Sequence, residues 1–154
     1  MTQPHDAFGL LLAHLRTILG AGYVVKYEYP EEKQADLTKR YVIVDLLSTR
    51  AESYVGQAAP TGAAGASLVK HTLSVRVEAW SGPSALAGAT SNVLDDAGKV
   101  KQRFDRKANA DALLAATGLK VIETTDCRTL PFDGQFPGWA RAATWVTFTL
   151  DEVF

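Results

Sequence analysis

Residues 40–80 read RYVIVDLLSTRAESYVGQAAPTGAAGASLVKHTLSVRVEAW and form the longest patterned stretch of the chain. The stretch contains two runs typical of β-strands, residues 40–57 and 68–80, and apolar and polar residues alternate in the second run from Val69 onward. As a strand, the second run spans about 43 Å, whereas a compact chain of this length has a diameter of about 40 Å. We therefore predict a long projecting β-hairpin that extends past its own core and lies against another subunit.

Between the two runs lies the segment 58–67, AAPTGAAGAS, which has small side chains and no charge. We predict that this segment is a flexible hairpin tip that becomes ordered on a neighbouring subunit. It is not interpreted as a linker between domains, so the chain is expected to be a single domain over residues 1–154.

The composition indicates one soluble domain with its own core. Of the 154 residues, 47% are hydrophobic and 21% are charged, which argues against wholesale disorder. The formal net charge of −1 removes the global basic excess that is typical of nucleic-acid-binding domains. Cys127 is the single cysteine, so an internal disulfide is excluded, as in a reducing cytoplasm. The N-terminal residues resemble neither a signal peptide nor a spanning helix, and no membrane partner is expected.

The remaining segments indicate helices and strands that are separated along the chain. Apolar residues three and four positions apart predict helices over residues 5–19, 85–107 and 108–118. Strands are predicted over residues 23–29, 119–130 and 139–154. The order is therefore α-β-β-β-α-(α)-β-β. This order predicts an α+β fold, in which a mainly antiparallel or mixed sheet carries helices packed on one face.

The sequence contains no group of residues with the spacing of a catalytic or metal site. Cys127 lies between Asp126 and Arg128 in a predicted strand, without a histidine on the same element to act as its base. His71 lies on the apolar side of its strand, where a hydrogen-bonded core histidine is the better interpretation. Neither a His or Cys pair at metal-ligand spacing nor a phosphate-binding glycine loop is present. The sequence therefore predicts no catalytic residue, no metal and no cofactor.

Two further features have two interpretations each. A basic half-helix is formed by Lys99, Lys101, Arg103, Arg106 and Lys107. A solvated face is favoured over a nucleic-acid surface here, because cations near a helix C-terminus complement the helix dipole. The segment FDGQFPGW places Phe132, Phe136 and Trp139 around two glycines and a proline. These aromatic side chains either cap the end of the sheet or anchor a subunit contact.

The chain resembles tail terminator proteins of long-tailed bacteriophages, the group that includes the phage lambda terminator and related neck proteins. The resemblance is carried by the opening helix from Phe8 to Leu19, the runs YVIVDLLSTRAESYVG and LVKHTLSVRVEAW, the segment FDRKANADALL and the closing TFTLDEVF. It implies an α+β subunit that assembles into a hexameric ring. Such a ring stops the polymerisation of the tail tube and joins the tube to the head connector.

The resemblance also implies partners and a location. We expect a homo-oligomer, a hexamer, that contacts a tail tube protein and a head–tail connector protein, while DNA only passes through the lumen. The protein would be assembled in the host cytoplasm and located in the virion, at the neck or tail end. Candidate interface residues on the hairpin and in the aromatic segment are Tyr54, Val55, Leu68, Val69, Arg76, Trp80, Phe132, Phe136 and Trp139.

Three alternative functions are left open by the sequence. A head-completion or connector-adaptor protein of the same neck would also form a ring. A small α+β enzyme or ligand-binding domain would need a deep pocket with convergent polar groups, and we identify no residues that would supply one. A nucleic-acid-binding protein that uses the basic half-helix would bind with strongly salt-dependent affinity.

Overall fold

The computed structural model describes residues 4–27, 40–54, 68–81, 89–125, 127–130 and 139–153. These residues form three α-helices and six β-strands. The helices are α1 (Pro4–Leu19), α2 (Ala89–Asp105) and α3 (Lys107–Thr117). The strands are β1 (Tyr23–Lys26), β2 (Arg40–Tyr54), β3 (Leu68–Ser81), β4 (Lys120–Thr124), β5 (Arg128–Thr129) and β6 (Ala140–Val153). The predicted tip at 58–67 lies outside the described residues.

All six strands belong to one mixed sheet, with the order β1-β2-β3-β6-β4 and with β5 beside β6. The strands β1 and β2 are parallel and pair Tyr23 with Arg40 at one end. The long strands β2, β3 and β6 are antiparallel, with β3 between the other two. The predicted α+β class is therefore confirmed, and the β1–β2 pair makes the mostly antiparallel sheet a mixed one.

The helices pack on one face of this sheet and bury the main core. Every second residue of β3 from 73 to 79, and of β6 from 140 to 150, is buried, as the period-two pattern of the sequence predicts. The helices contribute buried residues that include Leu11, Leu15, Val100, Phe104 and Leu113. The rings of Phe104 and Phe148 meet edge-on, with centroids 5.5 Å apart. Burial of each large apolar side chain stabilises the helix–sheet packing by roughly 1.5–3 kcal/mol.

The two long runs pair with a third strand, whereas the sequence predicted a two-stranded hairpin. Strand β6 pairs with β3 along its whole length, from Ser81 with Ala140 to Leu68 with Val153. We call residues 48–54, 68–74 and 147–153, which pair side by side in this sheet, the arm. The core-side positions Thr49 and Ala51 of the arm are exposed on β2, whereas Leu73, Phe148 and Leu150 of the arm are buried in the main core. A third strand makes the arm more rigid than an isolated hairpin.

The segment 119–130, which the sequence predicted as one strand, forms the two short strands β4 and β5. The break lies near Thr125, whose backbone N–H donates to the Trp145 carbonyl at 2.9 Å. The Thr125 hydroxyl accepts from the Trp145 N–H at 3.1 Å, and the Thr125 carbonyl accepts from the Thr144 hydroxyl at 2.9 Å. The prediction of one strand is wrong, because the hydroxyls of Thr125 and Thr144 here take over bonds that a regular ladder would make between backbone groups.

The helical boundaries also differ from the prediction at one point. The chain is extended at Arg106 (φ −77°, ψ 130°), so α2 ends at Asp105 and Lys107 belongs to α3. The Asn109 amide donates to the Gln102 carbonyl at 2.9 Å and thereby satisfies one backbone acceptor at the end of α2. The predicted helix end at Gly118 is confirmed, since this glycine takes a left-handed φ of 78° and its N–H bonds to the Leu114 carbonyl.

Candidate functional site

The outer edge of β2 is open over much of its length within the described part of the chain. Strand β1 pairs with β2 only from Arg40 to Ile43. The inner side of β2 pairs with β3 as far as Tyr54, and no other described strand pairs with the outer side of residues 44–54. In an antiparallel strand about half of the residues direct their N–H and C=O groups outward. Such an edge is a template for pairing with another strand.

Each of two opposite edges of the sheet carries a β-bulge with an exposed aliphatic side chain. On β2 the register shifts between Leu46 and Ser48, and the extra residue Leu47 is 46% exposed. On β4 the register shifts between Val121 and Glu123, and the extra residue Ile122 is 55% exposed. A bulge re-aims a strand and its side chains. The two edge strands therefore both present an exposed aliphatic side chain at a bulge.

The face of the sheet opposite the helices carries a charged network across β2, β3 and β6. The Arg76 guanidinium donates to Asp45 at 3.0 Å, and its Nε lies 3.7 Å from the Glu78 carboxylate. Arg141 also donates to Glu78, which is fully buried, and its guanidinium lies 4.7 Å from the Trp80 ring centroid. These cross-strand pairs connect the three long strands and favour a single register.

Two of the candidate interface residues are buried inside the subunit. Trp80 and Trp139 are 0% and 3% exposed and cluster with Tyr41 and Ile43. The Trp139 ring meets Tyr41 edge-on at 5.6 Å and lies 6.1 Å from Trp80. Both tryptophans therefore act as core residues of the subunit, and the surface candidates for a contact lie elsewhere.

The other candidate interface residues have different positions. Val69 and Arg76 are partly buried on β3, and Arg76 belongs to the charged network. Tyr54 and Leu68 form the last described pair of β2 and β3, at the end of the arm. The remaining three candidates, Val55, Phe132 and Phe136, lie outside the described residues. A contact through these residues stays a prediction.

A buried polar cluster that the sequence analysis missed joins α2 to the start of β2. Asp96 is 1% exposed, and its Oδ1 accepts hydrogen bonds from the Tyr23 hydroxyl at 2.8 Å and from Arg40 at 3.0 Å. The hydrogen bond with Tyr23 and the Asp96 carboxylate raise the pKa of Arg40, although burial opposes them. The sequence did contain a signal for this cluster. Asp96 falls between Val93 and Val100 on the apolar stripe of α2, where a buried carboxylate needs a hydrogen-bonding partner.

The structure does not assemble a recognisable catalytic centre in the described residues. Cys127 lies between β4 and β5, whereas the sequence predicted it within a strand. Its side chain packs against a small apolar cluster that includes Ala79 and Ala142. Among the described side chains, no group of three His, Cys, Asp or Glu residues could hold a metal ion. None of the described helices is long and apolar enough to cross a membrane.

No protein-family model matches the chain, and no curated protein matches its sequence. Among solved structures, the chain is similar to the PVC sheath/tube terminator of an extracellular contractile injection system, seen by cryo-EM in the extended state. The sequence identity is 17% and the TM-score is 0.46. The similarity covers 99% of this chain and 57% of the other, so this chain spans little more than half the length of that terminator. The similar protein belongs to a contractile system, whereas the sequence resemblance is to the lambda-like group.

Proposed function

We propose that the protein is a tail terminator, a structural assembly protein that forms a hexameric ring at the end of a tail tube. In this role it stops polymerisation of the tube and joins it to the head connector, at the neck of a virion, while DNA passes through the lumen. The protein acts by binding and assembly, without catalysis. The sequence resemblance supports the kind of protein, and the open edge at residues 44–54 of β2 is the observation that carries the assembly role.

The two bulged edges support a head-to-tail contact between subunits. In such a contact, the β2 edge of one subunit meets a different surface on the next, and repetition around an axis closes a ring. We propose that the partner surface is the β4 edge with Ile122, because it lies at the opposite end of the strand order from β1 and β2. Pairing with the five residues of β4 would satisfy the outward backbone groups of part of residues 44–54 and cover Leu47, which reduces an aggregation hazard.

The three-stranded arm supports a closed ring with a fixed angle between subunits. Its strands are joined over their length by backbone pairing, and the charged network around Glu78 ties β3 to β6 near the core. A rigid arm transmits one orientation from the core of a subunit to its neighbour. A flexible arm would instead permit a range of angles, and the assembly would not stop at one stoichiometry.

The proposal is tested with a tube polymerisation assay. Purified protein is added to polymerising tail tube protein encoded by the same genome, and tube lengths are measured by electron microscopy. We expect shorter tubes that carry a ring at one end. An unchanged length distribution, with none of the added protein at tube ends, would contradict the proposal. A ring that binds the head connector and leaves tube length unchanged would instead support the head-completion alternative.

A pair of matched variants connects the assay to the β2 edge. Thr49→Lys with Ala51→Lys places two like charges along the exposed edge, and charged edges disfavour strand pairing. Ala112→Lys with Ala115→Lys adds the same charge on exposed positions of α3. We expect the edge variant to lose tube capping and the α3 variant to retain it. Equal capping by the two variants would exclude the β2 edge as the contact.

A further inference from the structure

A recessed basic surface lies on the helical side of the molecule, between the end of α1 and one side of α2. It has a volume of about 370 Å³, within the usual range of ligand sites. Its charged residues are Lys99, Arg103 and Arg106, and its apolar wall is formed by Ile18 and Leu19. Among the described residues, none of those that line it is a carboxylate. We call this surface the basic cleft.

The three cations of the basic cleft have no carboxylate partner among the described residues. The carboxylates of α2 and α3 that form ion pairs are engaged with other cations: Asp96 with Arg40, Asp105 with Lys101 and Asp111 with Lys107. Unpaired cations that converge on one recess produce a local positive potential. Burial and the charge of Arg103 lower the pKa of His14, so this potential extends to α1.

The geometry of the cations matches an extended chain. Lys99 and Arg103 are four residues apart on one side of α2, about 6 Å along its axis. Arg106 follows directly after the end of α2 and also lines the cleft. Side chains on one side of an extended peptide are about 6.6 Å apart. Carboxylates at alternate positions of a peptide can therefore face successive cations. The side chains between them would contact the apolar wall of Ile18 and Leu19.

The same features disfavour a DNA duplex as the ligand. A duplex presents its phosphates on a convex cylinder, and its charged backbone offers only small apolar sugar groups for Ile18 and Leu19 to contact. The formal net charge of the protein is −1, so the positive potential is confined to the cleft and does not extend over the broad basic surface that a duplex would need. The recessed shape and the apolar wall both suit a peptide better.

We infer that the basic cleft binds an acidic peptide segment of a partner protein, in which carboxylates alternate with apolar side chains. The cleft lies on the helices and not on the sheet edge. The inference goes beyond the proposed function and does not depend on it.

The test is direct binding of a fluorescein-labelled peptide, blocked Glu-Leu-Glu-Leu-Glu, measured by fluorescence anisotropy on the full chain. We expect saturable binding that Lys99→Ala with Arg103→Ala weakens by at least about tenfold, since the variant removes two donors of charge-assisted hydrogen bonds to the peptide carboxylates. The matched control, Lys107→Ala with Lys120→Ala, removes the same charge from exposed positions and should bind as the wild type does. The peptide Gln-Leu-Gln-Leu-Gln should not bind.

Four outcomes of the binding assay would overturn the inference. They are no binding of the acidic peptide to the wild type, equal loss in the two charge variants, equal binding of the glutamine peptide, and a preference for a duplex DNA probe over the peptide. Circular dichroism establishes that both variants are folded. If the variant Lys99→Ala with Arg103→Ala is unfolded, NMR titration of His14 in the wild-type protein with the peptide still tests the inference. Peptide carboxylates beside Arg103 should raise the pKa of His14, and an unchanged pKa would contradict the inference.

Discussion

Arg40 at the start of β2 and Asp96 in α2 form an ion pair, with Nη1 3.0 Å from Oδ1, between residues 56 positions apart in the sequence. The Tyr23 hydroxyl donates to the same oxygen at 2.8 Å. The pair therefore fixes β1, the beginning of β2 and α2 relative to one another. Because residues 44–54 follow directly from this point, the ion pair also sets the position of the proposed assembly edge relative to the helices.

Replacing Asp96 with Asn should destabilise the protein. The substitution keeps the side-chain volume but removes a buried charge that pairs with Arg40, and the expected loss is about 1–3 kcal/mol. The free energy of unfolding is measured by urea denaturation. The control is Asp95→Asn, an exposed neighbour on the same helix, with an expected change within about 0.5 kcal/mol. Equal losses for the two variants would contradict a structural role of the Arg40–Asp96 pair.

Asp105 should make part of the stability dependent on acid pH. Burial favours a higher pKa, but hydrogen bonds from Lys101 and Thr124, with the charge of Lys101, lower the pKa of Asp105 below its ordinary value of 3.8. A carboxyl whose pKa is lower in the folded state stabilises the fold above its unfolded pKa. That contribution is lost as the pH falls through the folded pKa.

The substitution Thr124→Val tests this linkage. It removes one hydrogen bond to the Asp105 carboxylate, so it should cost about 1 kcal/mol at neutral pH, where Asp105 is ionised. The cost should decrease in acid, below the folded pKa of Asp105. Urea denaturation of both proteins at neutral and at acid pH measures the two costs. An equal cost at the two pH values would show that Thr124 acts through packing and not through the carboxylate.

Arg103 should control the protonation of His14. Burial and the charge of Arg103 lower the pKa of His14 below its ordinary value of 6.5, so the folded protein favours the neutral ring. Stability from this group therefore increases with pH between the folded pKa and 6.5. Arg103→Gln should raise the pKa of His14, as measured by NMR titration of the ring protons. Lys107→Gln, on exposed α3, is the control, and an equal response to both substitutions would contradict a direct effect of Arg103.

Gly118 and Gly98 should respond in opposite directions to alanine. Gly118 has φ +78°, and a Cβ there would lie 3.3 Å from the Leu150 Cδ1, so Gly118→Ala should cost roughly 1–2 kcal/mol. Gly98 lies inside α2, where an added methyl group would meet no heavy atom within 4 Å beyond its chain neighbours and its own helix backbone. Gly98→Ala should therefore stabilise by about 0.5–1 kcal/mol. Thermal denaturation measures both effects, and a loss at Gly98 as large as that at Gly118 would contradict the assigned backbone conformations.

The sequence predicts well which side of each strand and helix is buried in this protein, because local periodicity encodes the buried side. The alternate buried positions of β3 from 73 to 79 and the apolar stripe of α2 follow from spacings of two and of three to four residues. Which strands pair with one another is harder to predict from the sequence, since strand pairing depends on packing between distant segments. The parallel pairing of β1 with β2 and the full-length pairing of β6 with β3 carry no local signal.

In the candidate site, too, the features encoded locally could be predicted, and those that depend on distant residues could not. The length of β2 and β3 could be predicted from the two long strand-like runs of the sequence. Trp80 lies on the mostly polar side of β3, yet Tyr41 and Trp139 cover it, which the alternation of β3 alone cannot reveal. The bulges at Leu47 and Ile122 also depend on the register with a neighbouring strand, so they become visible only in the folded chain.

The central claim is that residues 44–54 of β2 join a neighbouring subunit in a ring. Amide hydrogen exchange over these residues tests it most directly, in the monomer and in protein assembled at tube ends. The claim predicts that the outward-facing amides, about half of those in the segment, exchange at least about tenfold more slowly after assembly. Unchanged exchange over residues 44–54 in an assembled ring, with protection confined to other surfaces, would contradict it.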